Sequence, residues 1–294
     1  MHCSMMQLER CALSAWIGHL SHRESSLPTV RSSLSASFFL SRHGISYIHV
    51  YGVDNVLARV ADPMFLGFGA ALGADCANKV VLKTEPTEKV GVMCLRDGRP
   101  SVVEYSELPP AMSVMRSETT GELLYSAGNI VQHFFTFDFL RSHADFPLPY
   151  HVAHKVVPFV DGSGAVVSPP KPNGVKLEMF VFDAFERARN MQALAVDRGD
   201  EFSPVKNAAR DGVAVPDTPV TARRDLAKLH ARMLQRAGAT LLNAQSAEEA
   251  AAHDAVCECE ISPLVSYAGE GLDALKGKTI TLPAYITLDN IHSL

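Results

Sequence analysis

The chain has 294 residues, 47% of them hydrophobic and 20% charged, with a formal net charge of -5. That is enough apolar content and length for one large globular domain or two smaller ones. The acidic balance argues against a nucleic-acid surface, which needs a basic stripe, and no apolar run approaches the roughly 20 residues that span a bilayer. The cysteines, at 3, 11, 76, 94, 257 and 259, form no CxxC pair. With no second pair or His cluster beside Cys257-x-Cys259, they read as thiols in a reducing, cytoplasmic setting rather than as a zinc site.

Residues 1–42 are rich in Ser and contain no Asp, with Glu only at 9 and 24. Such a leader has the composition of a transit peptide or of an unstructured segment, and the second is the expectation here. Strand and turn grammar begins after His43. Residues 46–53 (SYIHVYGV) alternate and are rich in β-branched and aromatic side chains, which predicts a buried strand closed by Asp54-Asn55. Asp62-Pro63 places a cap and a first-turn proline ahead of a short helix. A strand is expected over 79–83, and residues 90–95 and 101–105 flank Arg96-Asp97-Gly98-Arg99 as a hairpin.

Residues 123–137 are apolar and aromatic around Gly128-Asn129, and 138–143 read as helical. A second hairpin surrounds Gly162-Ser163-Gly164. Met179, Phe180, Phe182 and Phe185 have helix-like spacing, so a helix is expected over 176–189, followed by a strand over 191–196. The clearest helix spans 218–237, with Leu226, Leu229, Met233 and Leu234 on one stripe and Gly238 just past its end. Residues 256–266 and 278–288 read as turn-rich β-structure. Strands alternating with helices, then a β-rich tail, predict an α/β domain with a smaller C-terminal β-domain. The expected divisions are a leader over 1–42, a core over 43–238 and a tail over 239–294.

No GxGxxG or GxxxxGK[ST] motif occurs in the chain. What does occur is a series of short blocks in one order. They are 49–55 (HVYGVDN) with 60–63 (VADP), 73–76 (GADC), 83–88 (KTEPTE), 103–107 (VEYSE) and 127–130 (AGNI). Then follow 171–176 (KPNGVK), 180–183 (FVFD), 200–207 (DEFSPVKN), 259–264 (CEISPL) and 266–271 (SYAGEG). Together these blocks resemble the eukaryotic UDP-N-acetylglucosamine/galactosamine pyrophosphorylase family over residues 44–294. The resemblance implies a nucleotide-diphospho-sugar transferase fold, a Rossmann-like mixed-sheet α/β core, here truncated. It also implies transfer of a uridylyl group from UTP to N-acetylglucosamine 1-phosphate with Mg²⁺, releasing pyrophosphate. Such chemistry demands in-line positioning and charge neutralisation more than covalent help.

Site residues carry over position by position. Asp54, at the end of a strand, matches the family's metal- and nucleotide-contacting aspartate; by itself it reads equally as an Asp-Asn turn. Lys206 matches the sugar-phosphate lysine, although a loop lysine alone reads as solvated. Lys176 matches a phosphate-contacting lysine, expected near a helix N-terminus. Gly91, Glu104, Tyr105 and Asn129 match positions that hold the hexose. Their alternatives are a hairpin glycine, a strand-end carboxylate, a core tyrosine and a left-handed turn residue. His49 and His133 are expected to be structural.

Two departures stand out. The family's Gly-rich LGGGQGTRLG-like loop and PKGGNGG-like segment, which hold the nucleotide, have no counterpart here, and residues 1–42 contain one glycine, Gly18. Gly52 stands where the family usually has Cys. Little pyrophosphate release is therefore expected from these residues alone. The alternative to an enzyme is an inactive relative that binds a sugar phosphate or a protein partner. No nucleic-acid or membrane partner is expected.

Overall fold

The computed structural model describes residues 38–210, 212–243 and 259–293. Most of the Ser-rich leader, Cys3, Cys11 and Cys257 lie outside the described residues, as does the start of the strand expected from 256. Among the described residues no helix is long and apolar enough to cross a membrane.

The core is a six-stranded mixed sheet. Its strands are β1 (Tyr47–Tyr51), β2 (Cys76–Leu82), β3 (Val92–Arg96), β4 (Arg99–Val103), β5 (Ala127–Thr136) and β10 (Met191–Ala195). β5 is the hub. β2 pairs antiparallel along one of its edges, and β10 pairs parallel with β2. On the other edge β1 pairs with residues 132–136 and β3 with Gly128, so β1 and β3 lie end to end. β3 and β4 form the expected hairpin, turned by Asp97 (φ 52) and Gly98 (φ 76), whose paired positive φ angles suit the twist of a tight two-residue turn.

The junction between β1 and β3 coincides with an irregularity in β5. Its register against β2 slips between Asn78 and Val80, and Val131 adopts φ 54. A β-branched residue pays sterically for that conformation, so it persists only where its surroundings enforce it. Here Gly52 N–H donates to Val131 O (2.8 Å) and Asn129 N–H donates to Gly91 O (2.8 Å), pinning the backbone on both sides.

Helix α1 (Pro63–Ala71) begins as its sequence predicts, with the Asp62 carboxylate accepting from Met64 N–H and Pro at the first position. It packs closely on the sheet because Gly69 has no Cβ; one placed there would sit 2.7 Å from the Phe134 ring. α2 (Phe137–Ser142) is capped by Thr136. α3 (Arg198–Glu201) is one short turn, and α4 (Pro219–Arg236) is the long amphipathic helix, with a Thr218/Thr221 capping box. Gly238 follows it at φ 92. The buried stripe of α4 (Leu229, Met233, Leu234) joins Leu57 and the strands β12 (Cys259–Ile261), β13 (Thr279–Leu282) and β14 (Ala284–Ile286) in one apolar cluster. β11 (Thr240–Asn243) runs parallel to β13.

The expected helix over 176–189 does not form. β6 (His151–Lys155) and β9 (Gly174–Glu178) pair antiparallel as a hairpin, which itself carries β7 (Phe159–Val160) and β8 (Val166–Val167). The aromatic stripe instead lies on a 3-10 turn (Val181–Arg187) that buries Phe182 and Phe185 against Phe135 and Phe139. Cross-strand pairing with β6 satisfies the backbone of Val175–Leu177, and apolar spacing alone does not record that partner.

One charge lies at the centre of this arrangement. Lys79 on β2 has a side chain only 1% exposed, and its Nζ donates to Asp62 Oδ2 (2.5 Å) and Glu201 Oε2 (2.9 Å). Arg59 adds a second cation 3.4 Å from Glu201 Oε1. The Lys79 ammonium holds the Asp62 carboxyl below its usual range, although burial pushes the other way. Removing one partner of a buried ion pair strands the others in low dielectric. Lys79→Met is therefore expected to destabilise the chain by about 3–5 kcal/mol, read as a shift in the urea midpoint at neutral pH.

Candidate active site at the junction of two strands

The end-to-end placement of β1 and β3 along β5 decides which residues meet. Asp54 leaves the end of β1, and its Oδ2 lies 3.5 Å from Lys206 Nζ, both side chains being 43% exposed. Asn55, buried directly after it, explains how two segments 150 residues apart stay in register. Its Nδ2 donates to Glu201 O (2.7 Å), and its Oδ1 accepts from Ser203 N–H (2.9 Å) and Leu57 N–H (3.2 Å). Val205 N–H donates to Asp54 O (2.9 Å), and Val56 N–H to Ser203 O (3.2 Å). The turn bearing Asp54 and the loop bearing Lys206 are thus stitched together. Glu201, at the end of that stitch, is the same residue that pairs with Lys79.

On the other side of the junction stand Gly91, Glu104 and Asn129. A Cβ on Gly91 would lie 2.8 Å from Glu104 Oε1, so glycine there is what lets this carboxyl fold against the backbone. Its φ is not positive, which removes the conformational explanation for glycine. Asn129 is buried within β5, and its Oδ1 accepts from Val131 N–H (3.0 Å). It is Val131, not Asn129, that takes the left-handed conformation. Glu104 is pushed above the usual carboxylate range by burial and by Glu107, while His151 and Lys206 pull it back. Lys206, paired with Asp54, is thus close enough to Glu104 to act on its charge.

Lys176 is placed differently from the expectation, and Tyr105 differs only from its alternative as a core residue. Lys176 lies on β9 and not at a helix N-terminus; its Nζ pairs with Glu178 Oε1 (2.9 Å) and half its surface is exposed. Tyr105 is 45% exposed and so is not a core residue. Among the described residues no ion pair or hydrogen bond joins either to the Asp54–Lys206 pair. His49 and His133, expected to be structural, each bury one ring nitrogen that has no partner among the described residues. They are buried, bonded to Gln132 (2.8 Å) and Asn78 (2.9 Å), and kept neutral by burial, His133 down to about 3.

Sequence reasoning missed Lys79, Glu201 and the stapling role of Asn55. A lysine inside a largely apolar strand, CANKVVL, is the one available signal, since a charge there requires a carboxylate partner. It names neither Asp62 nor Glu201. Among the described residues no group of three or more His, Cys, Asp or Glu is arranged to hold a metal. One carboxylate, that of Asp54, is nonetheless sufficient for a Mg²⁺ ion that takes its remaining ligands from phosphate and water.

A nucleotidyltransferase-like α/β fold with a half-open polar junction is the class these features define. The model of the UTP--glucose-1-phosphate uridylyltransferase family matches residues 32–243, and the chain belongs to that family. It is 48% identical over 260 residues to human UDP-N-acetylhexosamine pyrophosphorylase-like protein 1, covering 85% of this chain and 50% of that protein. It is 38% identical over 243 residues to UDP-N-acetylglucosamine pyrophosphorylase of Saccharomyces cerevisiae, covering 81% of this chain and 48% of that one. The crystal structure of a putative UDP-N-acetylglucosamine pyrophosphorylase from Entamoeba histolytica superposes with TM-score 0.75 at 34% identity, covering 87% of this chain and 60% of that chain. The chain spans about half the length of the curated relatives it matches.

A carboxyl whose folded-state pKa is raised binds its proton more tightly in the folded chain, so stability falls as pH rises through that value. Glu104→Gln removes this fall. Its thermal midpoint is expected to exceed that of the wild type at pH 8 and to converge with it near pH 4, by differential scanning calorimetry at both pH values.

Proposed function

We propose that the junction between β1 and β3 binds N-acetylglucosamine 1-phosphate for uridylyl transfer from UTP, the whole protein making UDP-N-acetylglucosamine and pyrophosphate. The carrying observation is the convergence of one carboxylate–lysine pair, Asp54 and Lys206, with Gly91, Glu104 and Asn129 at a single break in the sheet. The names and sequence identity of the relatives support the same reading.

In this proposal the sugar phosphate oxygen forms a bond to the α-phosphorus of UTP, and the bond from that phosphorus to the bridging oxygen breaks as pyrophosphate leaves. No proton need move, because the attacking oxygen is already anionic. Lys206, held beside Asp54, neutralises the sugar phosphate as a point charge. Glu104 accepts from hexose hydroxyls and the Asn129 amide offers both donor and acceptor, while Gly91 leaves the backbone open to the acetamido group. Asp54 would hold Mg²⁺, which supplies charge neutralisation on the phosphates. Lys176, on its exposed hairpin, would supply a second cation to a phosphate. Tyr105 would lie beside the sugar. The free thiols of Cys76 and Cys94 suit a cytoplasmic location.

Calorimetric titration with N-acetylglucosamine 1-phosphate in Mg²⁺ buffer tests the sugar side directly. Binding is expected, and Lys206→Met should weaken it about tenfold, the scale of one charge-assisted contact. Glu104→Ala should weaken it similarly. A wild-type chain that leaves the titration flat overturns the proposal.

A further inference from the structure

The β6–β9 hairpin leaves the body of the fold with much of its apolar surface uncovered. Val152 and Leu177, which pair across its strands, are 59% and 57% exposed, and Val175 is 59% exposed. One group at its base is polar and central. His151, the first residue of β6, donates or accepts through both ring nitrogens, Nδ1 to Glu107 Oε1 (2.8 Å) and Nε2 to Asp183 Oδ2 (3.0 Å). Glu107 follows β4 and is three residues from Glu104; Asp183 lies on the 3-10 turn packed under the sheet. The ring also lies 4.8 Å from that of Phe180, tilted 45° to it. Its cross-strand partner on β9 is Glu178, which pairs with Lys176.

We propose that His151 is a positioning residue, an imidazolium clamp between Glu107 and Asp183 that fixes the hairpin carrying Lys176 over the sugar side of the site. This rests on the reading of that site given above. The geometry suits a doubly donating ring, since each nitrogen faces a carboxyl group and the protonated imidazole donates from both. The charged groups around it are consistent in sign. Glu107, Asp183, Glu104 and Glu178 are acidic, and Glu186 adds to the field at Asp183. Lys206 and Lys176 are the nearby cations, each already beside a carboxylate. Partial burial works to lower the His151 pKa, but bonds to Glu107 and Asp183 outweigh it and the net direction is upward. Burial pushes Asp183 up as well, with the imidazolium opposing. Two carboxylates facing one ring set the outcome in favour of the charged histidine. A raised histidine pKa means the clamp is complete below about 6.5, the ordinary value, and opens as pH climbs through the folded value.

Hydrogen–deuterium exchange of the full chain, corrected for intrinsic rates, reads the clamp without any ligand. Amides of residues 151–155 and 174–178 are expected to lose about tenfold protection between pH 6 and pH 9, with the β2–β5 amides unchanged. His151→Gln should show the low protection at both pH values. His151→Arg, whose guanidinium bridges two carboxylates at any pH in this range, should keep the protection and abolish its pH dependence. In titrations with N-acetylglucosamine 1-phosphate, His151→Gln should bind about tenfold more weakly at pH 6 and His151→Arg as the wild type. Should His151→Gln fail to fold, Glu107→Gln at an exposed carboxylate gives the same readout. Hairpin protection that is equal in wild type and His151→Gln at both pH values overturns the clamp. The expected exchange pattern in a chain that binds no sugar phosphate supports the clamp and overturns the site reading on which it rests.

Discussion

The Asp54–Lys206 side of the site is positioned, through a short chain of contacts, by a buried ammonium. Lys79 Nζ gathers the cap of α1, the centre of β2 and the end of α3 at one point. An uncompensated charge at that depth is untenable, so the carboxylates of Asp62 and Glu201 must come to it, and their backbones come with them. Glu201 in turn presents its carbonyl to Asn55, and Asn55 fixes Asp54 against the loop of Lys206. The pair nearest to the proposed chemistry is thus held by a chain of polar contacts anchored in the sheet. Preorganisation of this kind matters most for phosphoryl transfer, where placing and neutralising charge is nearly the whole task.

The second constraint is the break in β5. A strand ten residues long would ordinarily carry one neighbour along each edge, but on one side β5 carries two in succession, β1 and then β3. Val131 absorbs the change of register in a conformation that valine rarely adopts. Glu104 adds a carboxyl held where burial penalises its charge. Strain and misplaced charge both subtract from stability, and both sit where Asp54, Gly91, Glu104 and Asn129 converge. Sites that must bind something commonly carry such costs, offset by the core around them. Here Phe134, Phe135 and Phe185 are fully buried around the site's foundation.

The hairpin of β6 and β9 is a contrasting element. The sheet is locked by apolar packing on both faces, whereas the hairpin is tied to the body by a histidine between two acids and a ring contact. An element joined in this way responds to pH, and one bearing a lysine can alter the field over the site when it moves. That difference in anchoring separates the residues built on the sheet from those carried on the hairpin.

Local grammar was legible wherever neighbours in sequence carry the whole cause. The Asp62-Pro63 start of α1, the Asp97-Gly98 turn and the Thr218 start of α4 each depend on side chains within a few residues, and each forms as its residues dictate. The order of the motif blocks was likewise sufficient to name the family, and it nominated Asp54, Gly91, Glu104, Tyr105, Asn129, Lys176 and Lys206 as candidates. The residues of 176–189 were misleading because their apolar spacing fits a helix, while β6, some twenty residues earlier, supplies the backbone partners of β9. Lys79 with Glu201, and His151 with Asp183, are separated by 122 and 32 residues and share no pattern a linear text could show. A strand's hydrogen-bond partners and a buried charge's counter-charge are chosen by folding, because desolvation acts on whatever the chain brings together in space. Sequence thus names the candidates one by one, and it is burial that makes them neighbours.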